Sequence, residues 1–153
     1  MDTTSPAGVG RVLPEPVRRH LVVRCRSAGL SAARDLVGRC CRLAGLRDEA
    51  EQVAVLLASE VVTNAVVHAE TDARLSVLLA DHRVRVEVAD GSPRRPLVRA
   101  WTDDGGTGRG MALVEALASR WGVDPSPSGK IVWFDVVDPA PCPTAGRGSV
   151  TPR

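Results

Sequence analysis

The sequence has almost no lysine and little excess charge of either sign. Its 153 residues include nineteen arginines and one lysine, Lys130, against 18 acidic residues, so the formal net charge is +2. This excess is too small to argue for a nucleic-acid-binding protein, and we expect no direct contact with nucleic acid. The sole lysine also excludes a Walker-type phosphate loop. That motif needs a Lys followed by Ser or Thr in a glycine-rich turn, and Lys130 precedes Ile131 in a predicted strand.

Zinc-site spacing and long apolar runs are missing as well. None of the four cysteines (Cys25, Cys40, Cys41 and Cys142) is separated from another by two residues, as zinc sites require. We therefore expect buried, reduced thiols in a cytosolic protein. The N-terminus lacks the apolar core of a signal peptide, and charges interrupt the apolar runs short of a membrane span. These absences predict a cytoplasmic protein without membrane contact.

Pro-, Gly- and Thr-rich ends flank a chain long enough for one domain. We expect disorder over residues 1–16 and 139–153, and one folded domain over 17–138. Periodicity and turn signals predict five strands and three helices. The strands are expected at 18–26, 73–80, 83–90, 122–127 and 129–137. The helices are expected from an N-cap at Ser31 to Leu43, from Arg47 to Ala69, and from Gly110 to Trp121.

The order of these elements predicts an α/β fold. Residues 73–80 and 83–90 alternate as strands do, and Asp81-His82 between them fits a tight hairpin. Hairpin-linked strands favour a mixed, mostly antiparallel sheet. Three helices would cover one of its faces, giving a two-layer sandwich.

A polar face interrupts the apolar stretch from Leu56 to Glu70. Glu60, Asn64 and His68 recur every four residues and therefore stand on one side of the predicted helix. Such residues need polar partners when they are buried. Asn64 could help hold a magnesium ion that takes other ligands from a nucleotide's phosphates, and Glu60 could deprotonate a hydroxyl. Equally, Glu60 could be a surface acid and Asn64 a satisfied amide. His68 is more simply a helix-end residue.

Two further features could serve the same ligand. The turn Gly105-Gly106-Thr107-Gly108-Arg109-Gly110 opens into a helix, where free backbone N–H groups bind phosphate, or it is only a flexible loop and cap. Asp90 ends a valine-rich strand. It could accept a hydrogen bond from an exocyclic amine such as that of adenine, or it could simply start a turn.

Taken together, in this order and spacing, these pieces resemble the Bergerat fold, the ATP-binding domain of gyrase, histidine kinases and MutL. The segments SEVVTNAVVHA, VADGSPRRP, GGTGRGMALVEALASRWGV and GKIVWFDV are similar to the anti-sigma regulatory factors with serine/threonine protein kinase activity. The resemblance covers about residues 18–137.

This resemblance implies ATP and Mg²⁺ as cofactors. It also implies a sigma factor or an anti-sigma-factor antagonist protein as partner, phosphorylation of a Ser or Thr of the antagonist, and a homodimer. Glu60 would be the catalytic base, Asn64 the magnesium ligand, and the loop from Ser92 to Gly106 a lid. The residues implied to bind ATP are Asn64, Asp90, Ser92, Gly106, Thr107, Gly108, Arg109, Gly110 and Met111.

The sequence departs from the family pattern at three places. Ser92 and Arg94 stand where the wider superfamily has Gly after the Asp. Gly106 stands where better-known members carry Arg, a role that Arg99 or Arg109 could take. Ile131 lies near a commonly found Thr that helps to hold an adenine-linked water. These departures leave open an alternative, a non-catalytic interaction module that uses nucleotide as a structural ligand. A histidine-kinase fragment is disfavoured, because no dimerisation helix with a phospho-accepting His precedes the domain.

Overall fold

In the residues that the structure describes, three helices cover one face of a five-stranded sheet. The computed structural model describes residues 15–24, 29–68, 70–94 and 109–139. The sheet order is β1-β2-β3-β5-β4, and every described strand pair is antiparallel. The predicted two-layer α/β fold is thereby confirmed. The elements are β1 (Val17–Val23), α1 (Gly29–Leu43), α2 (Asp48–Thr63) with a π-helical turn (Asn64–His68), β2 (Ala73–Ala80), β3 (Arg83–Asp90), α3 (Arg109–Leu117), β4 (Arg120–Ser126) and β5 (Gly129–Val137).

Alternation along the strands separates a dry face of the sheet from a wetter one. Val84, Val86 and Val88 of β3 are fully buried beneath the helices, together with Leu75 of β2 and Phe134 of β5. Burial of such side chains contributes about 1.5–3 kcal/mol each relative to leaving them exposed. The intervening residues of β3 point to the other face, which carries charged side chains. We call this second face the outer face.

The central helix, α2, packs its apolar residues into this core. Leu57, Ala58 and Val62 are completely buried. By length and hydropathy the stretch Asp48–Val67 could cross a membrane, a result the charge pattern did not predict. The core helix of a globular domain can meet the same criterion, and α2 buries these three residues against the sheet.

The start of α2 is fixed by a residue that follows the last strand. Arg47 donates its backbone N–H to Asp138 Oδ2 at 2.7 Å, and its guanidinium pairs with the same carboxylate. These hydrogen bonds, the side-chain one foremost, hold the pKa of Asp138 below its usual value. They satisfy a donor at the helix start and set α2 relative to β5.

Two predicted boundaries at the N-terminal side are wrong. The first strand ends at Val23, not at residue 26, because its ladder runs out where Val23 pairs with Ala73, the first residue of β2. The first helix begins at Gly29, so Ser31 lies inside it and is not its N-cap. Leu30 packs against the core in the first turn, which extends the helix beyond the predicted start.

The predicted helix from 110 to 121 is too long. The helix ends at Leu117, and Trp121 belongs to β4, paired with Phe134. Ser119 makes the break, since its N–H donates to Asp135 O at 2.8 Å and its hydroxyl accepts from Val137 N at 3.1 Å. Similarly, the predicted helix through Ala69 is regular only to Thr63 and continues as a π turn to His68.

The cysteines are buried thiols where the structure describes them. Cys40 and Cys41 are free and almost completely buried. Loss of hydration raises the pKa of Cys41 to about 12. Cys25 and Cys142 lie outside the described residues, as do the parts of the predicted disordered ends over 1–14 and 140–153.

A buried acid on the outer face is held by two arginines. Asp135 accepts hydrogen bonds from Arg85 at 2.7 Å and from Arg83 at 2.8 Å. The Arg85 guanidinium also stacks 4.2 Å from the ring centroid of Trp133. Burial alone would raise the pKa of Asp135, but the two arginines outweigh it and hold that pKa below its ordinary value of 3.8.

The lowered pKa of Asp135 predicts acid sensitivity. A carboxyl whose pKa falls on folding stabilises the protein fully above its unfolded value of 3.8. This contribution is lost as the pH falls below that value, through the folded pKa. Urea unfolding at about pH 5 and about pH 3 measures the loss. Asp135→Asn should lose less stability than wild type between the two pH values, and an equal loss in both proteins would contradict the assignment.

Candidate functional site

The polar face predicted for the central helix is present at its C-terminal end. Glu60 and Asn64 are both half-buried. The backbone N–H of Asn64 donates to Glu60 O and Val61 O, so these residues are joined across the junction with the π turn. Within the described residues, neither the Glu60 carboxylate nor the Asn64 side-chain amide takes part in a hydrogen bond or an ion pair. Half-buried polar groups in this state, at a π-helical turn, are typical of a ligand site.

The first residues of α3 pack directly against this face. A Cβ at Gly110 would lie 2.7 Å from Glu60 Oε2, 3.0 Å from Glu60 Cβ and 3.6 Å from Asn64 Nδ2. A side chain at this position would therefore require the Glu60 carboxylate to move and its Cβ to give by a few tenths of an ångström, so glycine favours this close approach. Three predicted site residues therefore meet at one place. Because α3 begins here, its free N–H groups lie close by and can bind an anion.

The neighbours of Gly110 differ in their surroundings. Arg109 is exposed, whereas Met111 is buried in the core and anchors α3 there. Gly106, Thr107 and Gly108 lie outside the described residues, as do Arg99 and most of the lid predicted between Ser92 and Gly106. His68 ends the π turn, and its side chain also lies outside the described part.

Asp90 closes β3 and is 6% exposed. Its Oδ1 accepts the N–H of Ser92 at 2.8 Å and the ammonium of Lys130, also at 2.8 Å. Lys130 donates in addition to the Ser92 carbonyl oxygen at 3.2 Å. Ser92 thus contributes backbone groups to the surroundings of Asp90, and Lys130 is a partner that the sequence pattern did not reveal.

The residue of β5 that faces Asp90 is Lys130 and not Ile131. Asp90 pairs with Lys130 in the β3–β5 register, and Ile131 pairs with Ala89, so Ile131 projects to the outer face. The sequence comparison tied one departure from the family pattern to Ile131. In the structure the β5 residue opposite Asp90 is the lysine one position earlier. Its only sequence signal is that it is the sole lysine in the chain.

Thr71 connects the two halves of the site and was missed by the sequence analysis. Its N–H donates to Ala65 O in the π turn at 3.4 Å, and its hydroxyl accepts the N–H of Gly91 at 3.2 Å. The end of α2 and the end of β3 are therefore joined through one residue. A threonine in a short connection has no pattern that would have pointed to this role.

The close approach of β5 to the end of β3 depends on Gly129. It has a φ of +155°, and a Cβ there would lie 2.1 Å from Asp90 O and 2.7 Å from the Gly91 carbonyl carbon. Neither backbone atom can move without disturbing the sheet. Gly129→Ala is expected to destabilise the protein by about 3 kcal/mol, measured by urea unfolding.

Gly38→Ala provides the matched control for this stability prediction. A Cβ at Gly38 meets mainly the flexible ends of Glu51 and Arg42, at 3.0 and 3.3 Å. Its position inside α1 also favours alanine over glycine, so the change should stay within about 1 kcal/mol. Equal stabilities of the two variants would contradict the role of Gly129.

The described residues do not form a metal site by themselves. They include no group of three or more His, Cys, Asp or Glu side chains placed to hold a metal ion. The donor set at the α2 face, one amide oxygen beside one carboxylate, suits a hard cation that takes its other ligands from water and from phosphates. Together with the nearby start of α3, whose N–H groups can bind phosphates, it fits a magnesium–nucleotide better than a free metal ion.

Comparisons with known proteins place the fold. A family model described as histidine kinase-like ATPase domain matches residues 23–136. Among solved structures, the crystal structure of the RsbU and RsbW domains of Rv1364c from Mycobacterium tuberculosis matches with a TM-score of 0.58 and 20% sequence identity. The match covers 78% of this chain and 31% of that one, so this chain spans about a third of that protein. No curated protein matches significantly.

Proposed function

The chain belongs to the family of histidine kinase-like ATPase domains, and we propose that it is an ATP-binding regulator of the anti-sigma type. It would bind a sigma factor and phosphorylate a Ser or Thr of an antagonist protein. Membership of an ATPase family carries nucleotide binding with it. The finer assignment is supported by the similarity of the segments around Glu60, Asp90 and Gly110 to the anti-sigma regulators. The fold shared with a structure that contains an RsbW domain supports it too.

The observation that carries the proposal is the meeting of Gly110 with Glu60 and Asn64. A nucleotide triphosphate needs backbone N–H groups for its phosphates, an oxygen ligand for its cation and a base for the attacking hydroxyl. The start of α3 can supply the N–H groups, Asn64 the oxygen ligand and Glu60 the base. The 2.7 Å between a Cβ at position 110 and Glu60 Oε2 indicates how closely the helix start and the carboxylate approach each other.

Each residue of the proposed site has one role. Asn64 would hold Mg²⁺, which neutralises phosphate charge when it is bound. Glu60 would accept the proton of the partner's hydroxyl as its oxygen attacks the γ-phosphorus of ATP, and the bond between that phosphorus and the β-phosphate oxygen would break to release ADP. Asp90 would accept a hydrogen bond from the adenine amine, and Ser92 would position Asp90. The phosphates would be held by Gly106, Thr107, Gly108, Arg109, Gly110 and the backbone N–H of Met111.

The extent of the domain, its oligomeric state and its cellular location are also proposals. We expect the folded unit to span residues 17–138, to form a homodimer and to act in the cytoplasm without contacting nucleic acid. The antagonist would approach from the side of Glu60, because its accepting hydroxyl must reach that carboxylate.

A second candidate function is a non-catalytic module that binds nucleotide only to stabilise a protein-binding surface. Gly106, which stands where better-known members carry Arg, favours it, because the residues beside this position are those proposed to hold the phosphates. Glu60 would then have no role in proton transfer.

Phosphoryl transfer separates the two functions. The protein is incubated with γ-labelled ATP, Mg²⁺ and the antagonist-like protein encoded nearest to it. The kinase function predicts label on a Ser or Thr of that protein. If the protein binds nucleotide but transfers no label to that protein, the result supports the non-catalytic module. If it does not bind nucleotide, the result contradicts both functions.

A further inference from the structure

Lys130 is a buried cation in the part of the proposed site where the adenine of ATP would lie. It is 7% exposed, on the helix-covered face of β5, directly opposite Asp90. Burial of an ammonium is costly unless it is paired and hydrogen-bonded. Asp90 Oδ1 and the Ser92 carbonyl oxygen, at 2.8 and 3.2 Å, supply two of the three acceptors that an ammonium can use.

The pair keeps unused hydrogen-bonding capacity on both partners. The third N–H of Lys130 finds no acceptor among the described residues. Both hydrogen bonds made by Asp90 end on Oδ1, so Oδ2 accepts none from the described part of the chain. A spare donor and a spare acceptor therefore lie side by side at the end of β3.

This arrangement matches one edge of adenine. On its Watson–Crick edge adenine presents the N6 amino group, a donor, next to N1, an acceptor. We propose that Lys130 and Asp90 read this edge together, with Asp90 Oδ2 accepting from N6–H and Lys130 Nζ donating to N1. The inference rests on the proposed ATP binding and adds a specificity-determining residue to it.

The same pair would reject guanine. Guanine carries a carbonyl oxygen at position 6, which would face the carboxylate, and an N1–H, which would face the ammonium. The first contact would place an acceptor against an acceptor, and the second a donor against a donor. Buried polar groups left unpaired in this way weaken binding strongly. The Lys–Asp pair thus predicts that ATP is selected over GTP at two positions of the purine, the group on C6 and N1. Asp90 alone would distinguish only the first.

Atom-deleted nucleotides test the role of Lys130. Calorimetric titration of the full chain with ATP and with 1-deaza-ATP, which lacks the N1 acceptor, compares the two dissociation constants in the presence of Mg²⁺. Wild type should bind 1-deaza-ATP about 10- to 100-fold more weakly than ATP, the effect of a hydrogen bond to a charged group. In Lys130→Met the same comparison should give less than about a threefold difference, because the donor is gone.

The outcomes separate this inference from the function on which it rests. If wild type binds ATP but binds 1-deaza-ATP equally well, Lys130 does not contact N1 and this inference alone fails. An equal penalty in wild type and Lys130→Met has the same meaning. If wild type does not bind ATP, the proposed function fails with it. Should Lys130→Met not fold, as thermal melting would reveal, Lys130→Val takes its place, because valine suits a strand and has no donor, and the wild-type comparison alone still decides.

Discussion

Glu60→Gln is expected to lower the rate of phosphoryl transfer by about 10²- to 10⁴-fold while ATP binding persists. Glutamine keeps the size and shape of glutamate but cannot accept a proton. The side chain at position 60 contacts the start of α3, as the 3.0 Å between a Cβ at Gly110 and Glu60 Cβ indicates, so an isosteric change preserves the packing. Transfer of label from γ-labelled ATP to the antagonist measures the rate, and calorimetry measures the affinity.

The matched control is Glu49→Gln. Glu49 lies in the first turn of the same helix and is exposed, far along α2 from the proposed site. It should transfer phosphate at the wild-type rate. Equal rates for Glu60→Gln and wild type would remove Glu60 from the chemistry. Loss of both transfer and ATP binding in Glu60→Gln would assign it to binding and not to proton transfer.

Gly110→Ala is expected to weaken ATP binding by roughly tenfold or more. The added methyl group would lie 2.7 Å from Glu60 Oε2, so either the carboxylate or the start of α3 must move. Both movements change the space in which phosphates would meet Asn64 and the helix N–H groups. A shift of α3 would also disturb Met111, which is 1% exposed in the core. Calorimetric titration with ATP and Mg²⁺ measures the effect.

Gly38→Ala serves as the control for this variant too, because it places the same methyl group inside α1, away from the proposed site. Thermal unfolding shows whether Gly110→Ala remains folded. A folded Gly110→Ala protein that binds ATP as wild type does would mean that phosphates do not enter between α3 and the polar face of α2.

Local alternation was enough to predict the central hairpin. The predicted bounds of β2, β3 and β5 agree with the structure residue for residue. Each of these strands places alternate apolar residues on the dry face, and short turns mark their ends. The polar face of α2 was also predictable, because Glu60 and Asn64 interrupt an apolar stretch at helical spacing, and such interruptions need partners.

Residues fixed by long-range pairing were not predictable in the same way. Trp121 continues the apolar stripe of α3 in sequence, yet strand pairing with Phe134 places it in β4. Lys130 faces Asp90 only because of the β3–β5 register, which local patterns do not set across so long a connection. Thr71 joins Ala65 to Gly91 through two hydrogen bonds that no spacing in the sequence predicts. Tertiary register decided all three.

The cation dependence of ATP binding tests the central claim most directly. Wild type and Asn64→Ala are titrated calorimetrically with ATP, each with and without Mg²⁺. If the nucleotide lies against the α2 face with its cation on Asn64, wild type should bind ATP more tightly with Mg²⁺, by about tenfold or more. Asn64→Ala should lose most of that gain. No ATP binding by wild type, or the same gain in Asn64→Ala, would contradict the account.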